Sequence, residues 1–146
     1  MKGFRGFTLI ELLIALVIVA VLAAIAVPNY REHVKKAHRA RAVTFIKQYQ
    51  NWQEKRFLSL GAYATGIDDV VQGLGVPLIG GIPYIDDGAY EVLLETAPEL
   101  HLALWANPAG PMRDDETCAV FRGYLDGRIL AENAGAGDST EQCVAR

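Results

Sequence analysis

The chain has 146 residues, 51% hydrophobic and 21% charged, with a formal net charge of −3. That length suits one domain of ordinary size with at most one appended segment, and the composition excludes a wholly disordered protein. Two cysteines exclude both a disulfide-dense miniprotein and a four-thiolate zinc site.

The charge is unevenly spread. Residues 1–30 are net +1, residues 31–56 net +6 and residues 57–146 net −10. Three electrostatic blocks imply three physical tasks. Hydrophobicity is just as uneven. No polar side chain occurs from Leu12 to Val27, and only Thr8 and Glu11 interrupt the run from Phe7 to Val27. Twenty-one helical residues span roughly 31 Å, which matches the hydrocarbon core of a bilayer. The run predicts a membrane helix over residues 7–28. A secretory signal peptide would carry its small-residue cleavage site after the apolar stretch, where Ala23, Ala24 and Ala26 imitate one only weakly. Glu11 is an ionisable group inside the apolar run and is a functional candidate by default.

The short basic leader Met1–Gly6, followed by Phe7-Thr8-Leu9-Ile10-Glu11-Leu12-Leu13-Ile14, resembles the processing and assembly signature of type IV pilins. The relatives of that family are minor pilins and type II secretion pseudopilins. The resemblance runs from Lys2 to about Tyr30. It implies removal of residues 1–6 by a prepilin peptidase that cuts between Gly6 and Phe7, then N-methylation of Phe7. It also implies that Glu11 pairs with the new N-terminal amine of a neighbouring subunit. Physics supports that last role, since an unpaired charge is strongly disfavoured in apolar surroundings. The alternative is a carboxylate that merely reaches the headgroups. Pro28 closes the run and should kink or break the helix, because it removes a backbone bond and clashes one turn back.

Residues 29–60 predict an amphipathic helix. Ala42, Phe45, Tyr49 and Trp52 form one apolar stripe, which Ile46 and Phe57 widen. Beside basic residues such a stripe suggests nucleic-acid stacking, but its spacing fits packing under a sheet better. His33 and His38 are off the spacing that presents a metal pair on a helix. Gly61 stops the helix, and residues 61–88 hold seven glycines and two prolines, the profile of a long connecting loop. The doublets Asp68-Asp69, Asp86-Asp87 and Asp114-Asp115 lack the alternation of a calcium loop and read as solvated turns.

Strand signals fill residues 89–146. Tyr90, Val92 and Leu94 alternate with Glu91 and Glu95, and a second run covers Leu100–Trp105. Cys118–Leu125 reads as a third strand. The Asp126-Gly127 turn leads to a fourth, Arg128–Glu132. The expected fold is therefore α+β: a long N-terminal helix packed on a four-stranded antiparallel sheet, which also resembles the pilin head. Cys118 and Cys143 are either two separate buried thiols or a disulfide closing 26 residues. An outward-facing domain favours the bond, which would contribute roughly 3–4 kcal/mol. Its place near the C-terminus resembles the disulfide-bounded region of type IV pilins, and pseudopilins generally lack it.

No catalytic constellation, phosphate-binding loop or metal cluster is legible, so no enzyme activity, cofactor or metal is expected. The expected function is a structural subunit of a type IV pilus. Gln50–Phe57 with Gly61-Ala62-Tyr63 resembles PilE-like minor pilins in particular. The alternatives are a type II secretion pseudopilin and a minor pilin that binds DNA for uptake. The net −10 beyond Arg56 weighs against nucleic acid as a partner. Expected partners are other pilin subunits, the prepilin peptidase and methylase, the inner-membrane assembly machinery, and lipid before assembly. The expected location is the inner membrane with a periplasmic head, then the extracellular pilus. One count opposes that orientation: five basic residues from Arg31 to Arg41 outnumber Lys2 and Arg5, and positive flanks favour the cytoplasm.

Overall fold

The computed structural model describes residues 7–97 and 99–144. The chain divides into two compact units, Met1–Val34 and Lys35–Arg146. Helix α1 (Leu9–Leu60) contributes to both.

In the first unit α1 begins with a reciprocal cap. Thr8 N and Oγ1 donate to Glu11 Oε2 at 3.2 and 3.1 Å, and Glu11 N donates to Thr8 Oγ1 at 3.3 Å. This is the capping box that Thr8-Leu9-Ile10-Glu11 encodes. The apolar side chains that follow are exposed, and an 18-residue window of mean hydropathy 3.1 has none of its residues buried. Pro28 lies inside α1. Asn29 Nδ2 donates to Ile25 O at 3.1 Å, beside the turn in which proline removes a backbone donor.

In the second unit α1 packs on a sheet, as the sequence predicts. The buried line is His38, Ala42, Ile46, Tyr49 and Gln53. Phe45 and Trp52 flank this line half-buried, and Phe57 is exposed and stacks on Tyr63. The apolar stripe is thus rotated from the expected one toward Ile46.

The sheet has six strands rather than four. Within residues 61–88 the chain forms α2 (Ile67–Leu74), β1 (Leu78–Ile79) and β2 (Ile82–Ile85). The expected strands follow as β3 (Tyr90–Glu95), β4 (His101–Ala106), β5 (Val120–Tyr124) and β6 (Ile129–Glu132), then the short helix α3 (Thr140–Cys143). All neighbours are antiparallel, in the spatial order β1-β2-β3-β4-β5-β6. The register Tyr90↔Ala106, Val92↔Leu104 and Leu94↔Leu102 sends one apolar row of β3 and β4 toward α1. At Gly123 of β5 helix and sheet approach closely, since a Cβ there would lie 2.1 Å from Ile46 Cγ2. The outer edge of β6 is already occupied. Ser139 N donates to Ala131 O, and Ala131 N donates to Thr140 Oγ1, both at 2.9 Å. The β1 edge has no such cover among the described residues, and Leu78 and Ile79 on it are exposed.

Candidate functional site

The first candidate surface is the N-terminal half of α1. Phe7 is 87% exposed, and Glu11 stands one turn further on with its carboxylate held by Thr8. Gly6 lies outside the described residues. Glu11 therefore has a local partner that the expected assembly role does not mention. The Thr-x-x-Glu spacing was the signal for it.

The second candidate lies in the head, where the basic stretch of α1 meets acidic turns. Arg39 donates from Nε to Asp115 Oδ2 at 2.7 Å and from Nη2 to Asp115 Oδ1 at 2.6 Å. The Asp115 side chain is 1% exposed, and its Oδ1 also accepts from Cys118 N at 3.3 Å. Lys35 Nζ donates to Asp114 O at 3.0 Å. One turn further along α1, His38 Nδ1 and Arg41 Nη1 both lie 2.5 Å from the Asp86 carboxylate. Asp86 and Asp87 both sit at positive φ, near +55°, a conformation that aspartate tolerates in tight turns. Two of the expected solvated turn residues, Asp86 and Asp115, are thus buried ion-pair partners. Asp68, Asp87 and Asp114 remain exposed. Burial is affordable because each buried carboxylate meets a charge-assisted donor.

Tyr90 is fully buried beside this cluster, and its hydroxyl has no hydrogen-bond partner among the described residues. Burial, then the nearby Asp115 carboxylate, raises its pKa well above the ordinary tyrosine value. A raised folded-state pKa gives stability that is complete below about pH 10 and is lost as pH climbs above it. Tyr90→Phe should therefore leave stability near neutrality little changed and soften the loss above about pH 10. Urea denaturation at pH 7 and at pH 11 would show this. Equal pH dependence in parent and variant would exclude Tyr90 as the cause.

Cys118 and Cys143 form a disulfide with 5.8 Å between Cα atoms. It ties α3 to the segment that carries Asp115. Between α3 and α1 lies a groove of about 560 Å³, lined by Lys36, Ala40, Val43, Lys47 and Val144 among others. On the outer face of the sheet, Arg122 pairs with Glu132, His101 stacks on Tyr124, and Arg128 lies over the Tyr124 ring. Among the described residues no three His, Cys, Asp or Glu side chains gather as a metal site.

An apolar helix opened by a prepilin-type motif and carrying an antiparallel head closed by a disulfide defines the chain as a type IV pilin. The model of the prokaryotic N-terminal methylation motif matches residues 1–27. The model described as type IV minor pilin ComP, DNA uptake sequence receptor, matches residues 28–122, and the chain belongs to that family. It is similar to fimbrial protein EcpB of Eikenella corrodens, with 33% identity over 71% of this chain and 53% of the relative. It is 40% identical to a fimbrial protein of Pseudomonas aeruginosa over 40% of this chain and 38% of that one. It also matches type II secretion system core protein G of Escherichia coli strain K12, at 34% identity over 50% of this chain and 52% of the relative. The chain thus spans about half or less of the length of these relatives. No solved structure matches.

Proposed function

We propose that this chain is a minor subunit of a type IV pilus, cut between Gly6 and Phe7, N-methylated at Phe7, and polymerised through the apolar half of α1. The observation that carries the reading is the wholly exposed apolar helix that starts at Phe7-Thr8-Leu9-Ile10-Glu11 and ends in a folded head. Such a surface needs lipid before assembly and other pilin helices afterwards. The head then belongs on the periplasmic side, and the inner-membrane assembly machinery is the partner that extracts the subunit. Glu11 holds Thr8 in the single chain. In the fibre it would turn to the amine of a neighbouring Phe7, a stronger partner in apolar surroundings.

The N-terminal sequence of the mature protein tests the cleavage, and a start other than Phe7 would overturn it. Gly6→Val should accumulate full-length precursor. Glu11→Gln keeps a side-chain acceptor for Thr8 but removes the charge, so it should be cleaved yet poorly recovered in sheared pili. Normal recovery would limit Glu11 to capping its own helix.

One observation favours a second reading, DNA capture. The matched family description names a DNA uptake sequence receptor. The acidic head leaves few cations for phosphate. Arg41, Arg56, Arg122 and Arg128 are each paired with a carboxylate. Lys36 and Lys47 on the groove are better placed, and their loss should weaken duplex binding and flatten its salt dependence.

A further inference from the structure

The outer face of the sheet, turned away from α1, has no task in the account so far. One row crosses it through Tyr84, Glu91, Trp105, Val120 and Glu132, which the register places opposite one another on β2 to β6. Trp105 is 43% exposed at the centre of this row, and Tyr84 and Glu91 are half-buried. Directly opposite residues have Cβ atoms about 5 Å apart, so Glu91 and Trp105 are neighbours on one face.

The other carboxylates around this face are matched. Glu132 pairs with Arg122, Glu95 lies 2.9 Å from His101 Nε2, and Glu99 and Asp126 both pair with Arg128. Glu91 has no such partner among the described residues. Elsewhere the head shows how it treats a carboxylate beside an aromatic ring. Arg128 lies 4.6 Å from the centre of the Tyr124 ring, and its Nη2 donates to Glu99 at 2.9 Å. Arg56 lies 5.8 Å from the centre of the Trp52 ring, and its Nη2 donates to Asp69 at 3.3 Å. In both places one guanidinium covers a ring and meets a carboxylate, a combination that its planar fork allows. Trp105 with Glu91 presents the same two groups, with no arginine of its own among the described residues.

We propose that Trp105 and Glu91 form a docking site for an arginine side chain of a different protein, its guanidinium flat on the indole and paired with the carboxylate. The charge of Glu91 calls for a cation. A lysine ammonium carries three donors in a compact head, whereas this row offers one carboxylate among Tyr84, Trp105 and Val120. A sheet face suits a protein better than a small molecule, which needs a concave site, and interface hot spots are rich in Trp, Tyr and Arg. A second copy of this chain is a poor source. Arg39, Arg41, Arg56, Arg113, Arg122 and Arg128 are each paired with a carboxylate of their own. The site belongs to the head alone and does not depend on the filament reading.

The full chain in detergent micelles is titrated with triarginine, trilysine and tricitrulline, the last an uncharged isostere of arginine. The indole N–H resonances of Trp52 and Trp105 are followed by NMR, with Trp105→Phe to assign them. Triarginine at millimolar concentration should shift the Trp105 signal and leave that of Trp52 in place, with an affinity about fivefold above trilysine. Tricitrulline should shift neither. Glu91→Gln should weaken triarginine about fivefold, whereas Glu141→Gln, the same change of net charge on α3, should leave it within about twofold. Equal affinities for triarginine and trilysine, or equal losses in the two variants, would mean a diffuse acidic field and overturn the site. A Trp105 signal that tricitrulline moves, or that triarginine leaves unmoved, would overturn it as well. In cells, a photoactivatable residue at Leu93, on the same face of β3, should crosslink to a partner peptide whose arginine is required for the product. A product that survives loss of every arginine in that peptide, or one formed between two copies of this chain, would overturn the assignment of the partner.

Discussion

Arg39→Ala should lower the stability of the head by about 3–5 kcal/mol, because it leaves the carboxylate of Asp115 buried without its cation. The two side chains are 13% and 1% exposed, so water can replace little of what is lost. Both guanidinium contacts are short and parallel, the geometry in which arginine surpasses lysine. Arg39→Lys should therefore recover only part of the loss. Arg39→Met combined with Asp115→Asn removes both charges and keeps an acceptor for Cys118 N. It should recover at least half of the deficit, because the penalty comes from the stranded charge more than from the missing attraction. Urea denaturation of the detergent-solubilised chain, followed by the fluorescence of Trp52 and Trp105, measures all three. A deficit under about 1 kcal/mol for Arg39→Ala would place this pair with the weak surface bridges.

Ile46→Ala should cost about 2–5 kcal/mol, since the side chain is fully buried between α1 and the sheet. Gly123→Ala should cost about 1–3 kcal/mol for the opposite reason, overfilling the same contact. Its Cβ would come within 2.1 Å of Ile46 Cγ2 and within 3.3 Å of Ile46 Cβ and Cγ1. The two changes should not add. With Ile46 shortened, the alanine at 123 has room, so the double variant should be more stable than the sum by over about 1 kcal/mol. Additive losses would mean that the sheet, rather than Ile46, resists the new methyl group.

The fold was legible wherever a period was sustained. Alternation from Tyr90 to Glu95 and around Leu102 and Leu104 placed β3 and β4, and Asp126-Gly127 placed the last hairpin. Three elements between residues 61 and 88 were missed. β1 is two residues long, too short to alternate. β2 contains Pro83, which weakens a strand reading. α2 did carry a signal, Ile67, Val70, Val71 and Leu74 on one helical face, but Gly66, Gly73 and Gly75 mask it as loop. The stripe on α1 was legible in Ala42, Ile46 and Tyr49, with Phe45 and Trp52 packed half-buried beside them. His38 and Gln53, which extend the buried line, were not, because a polar side chain interrupts an apolar pattern until its partner is known. Of the candidate surfaces, the N-terminal motif is local and could be read directly. The ion pairs could not. Asp86 is 48 residues from His38, and Asp115 is 76 from Arg39, so no spacing rule joins them. Aspartates in turns also look alike in sequence whether solvated or buried.

The ties along α1 acquire a mechanical meaning once the chain is part of a fibre under tension. A pull along α1 enters the head at Lys35 and within two helical turns reaches Asp114, Asp115 and Asp86, which belong to two separate segments of the fold. The load is shared from its first nanometre, and no single connection has to carry it. Behind Asp115 the cross-link from Cys118 to Cys143 limits how far that segment can be drawn out before α3 and the β6 edge resist with it. Rupture under force is governed by the rate of unfolding rather than by equilibrium stability. A head anchored this way would act as a brake whose hold is set by its slowest-breaking tie.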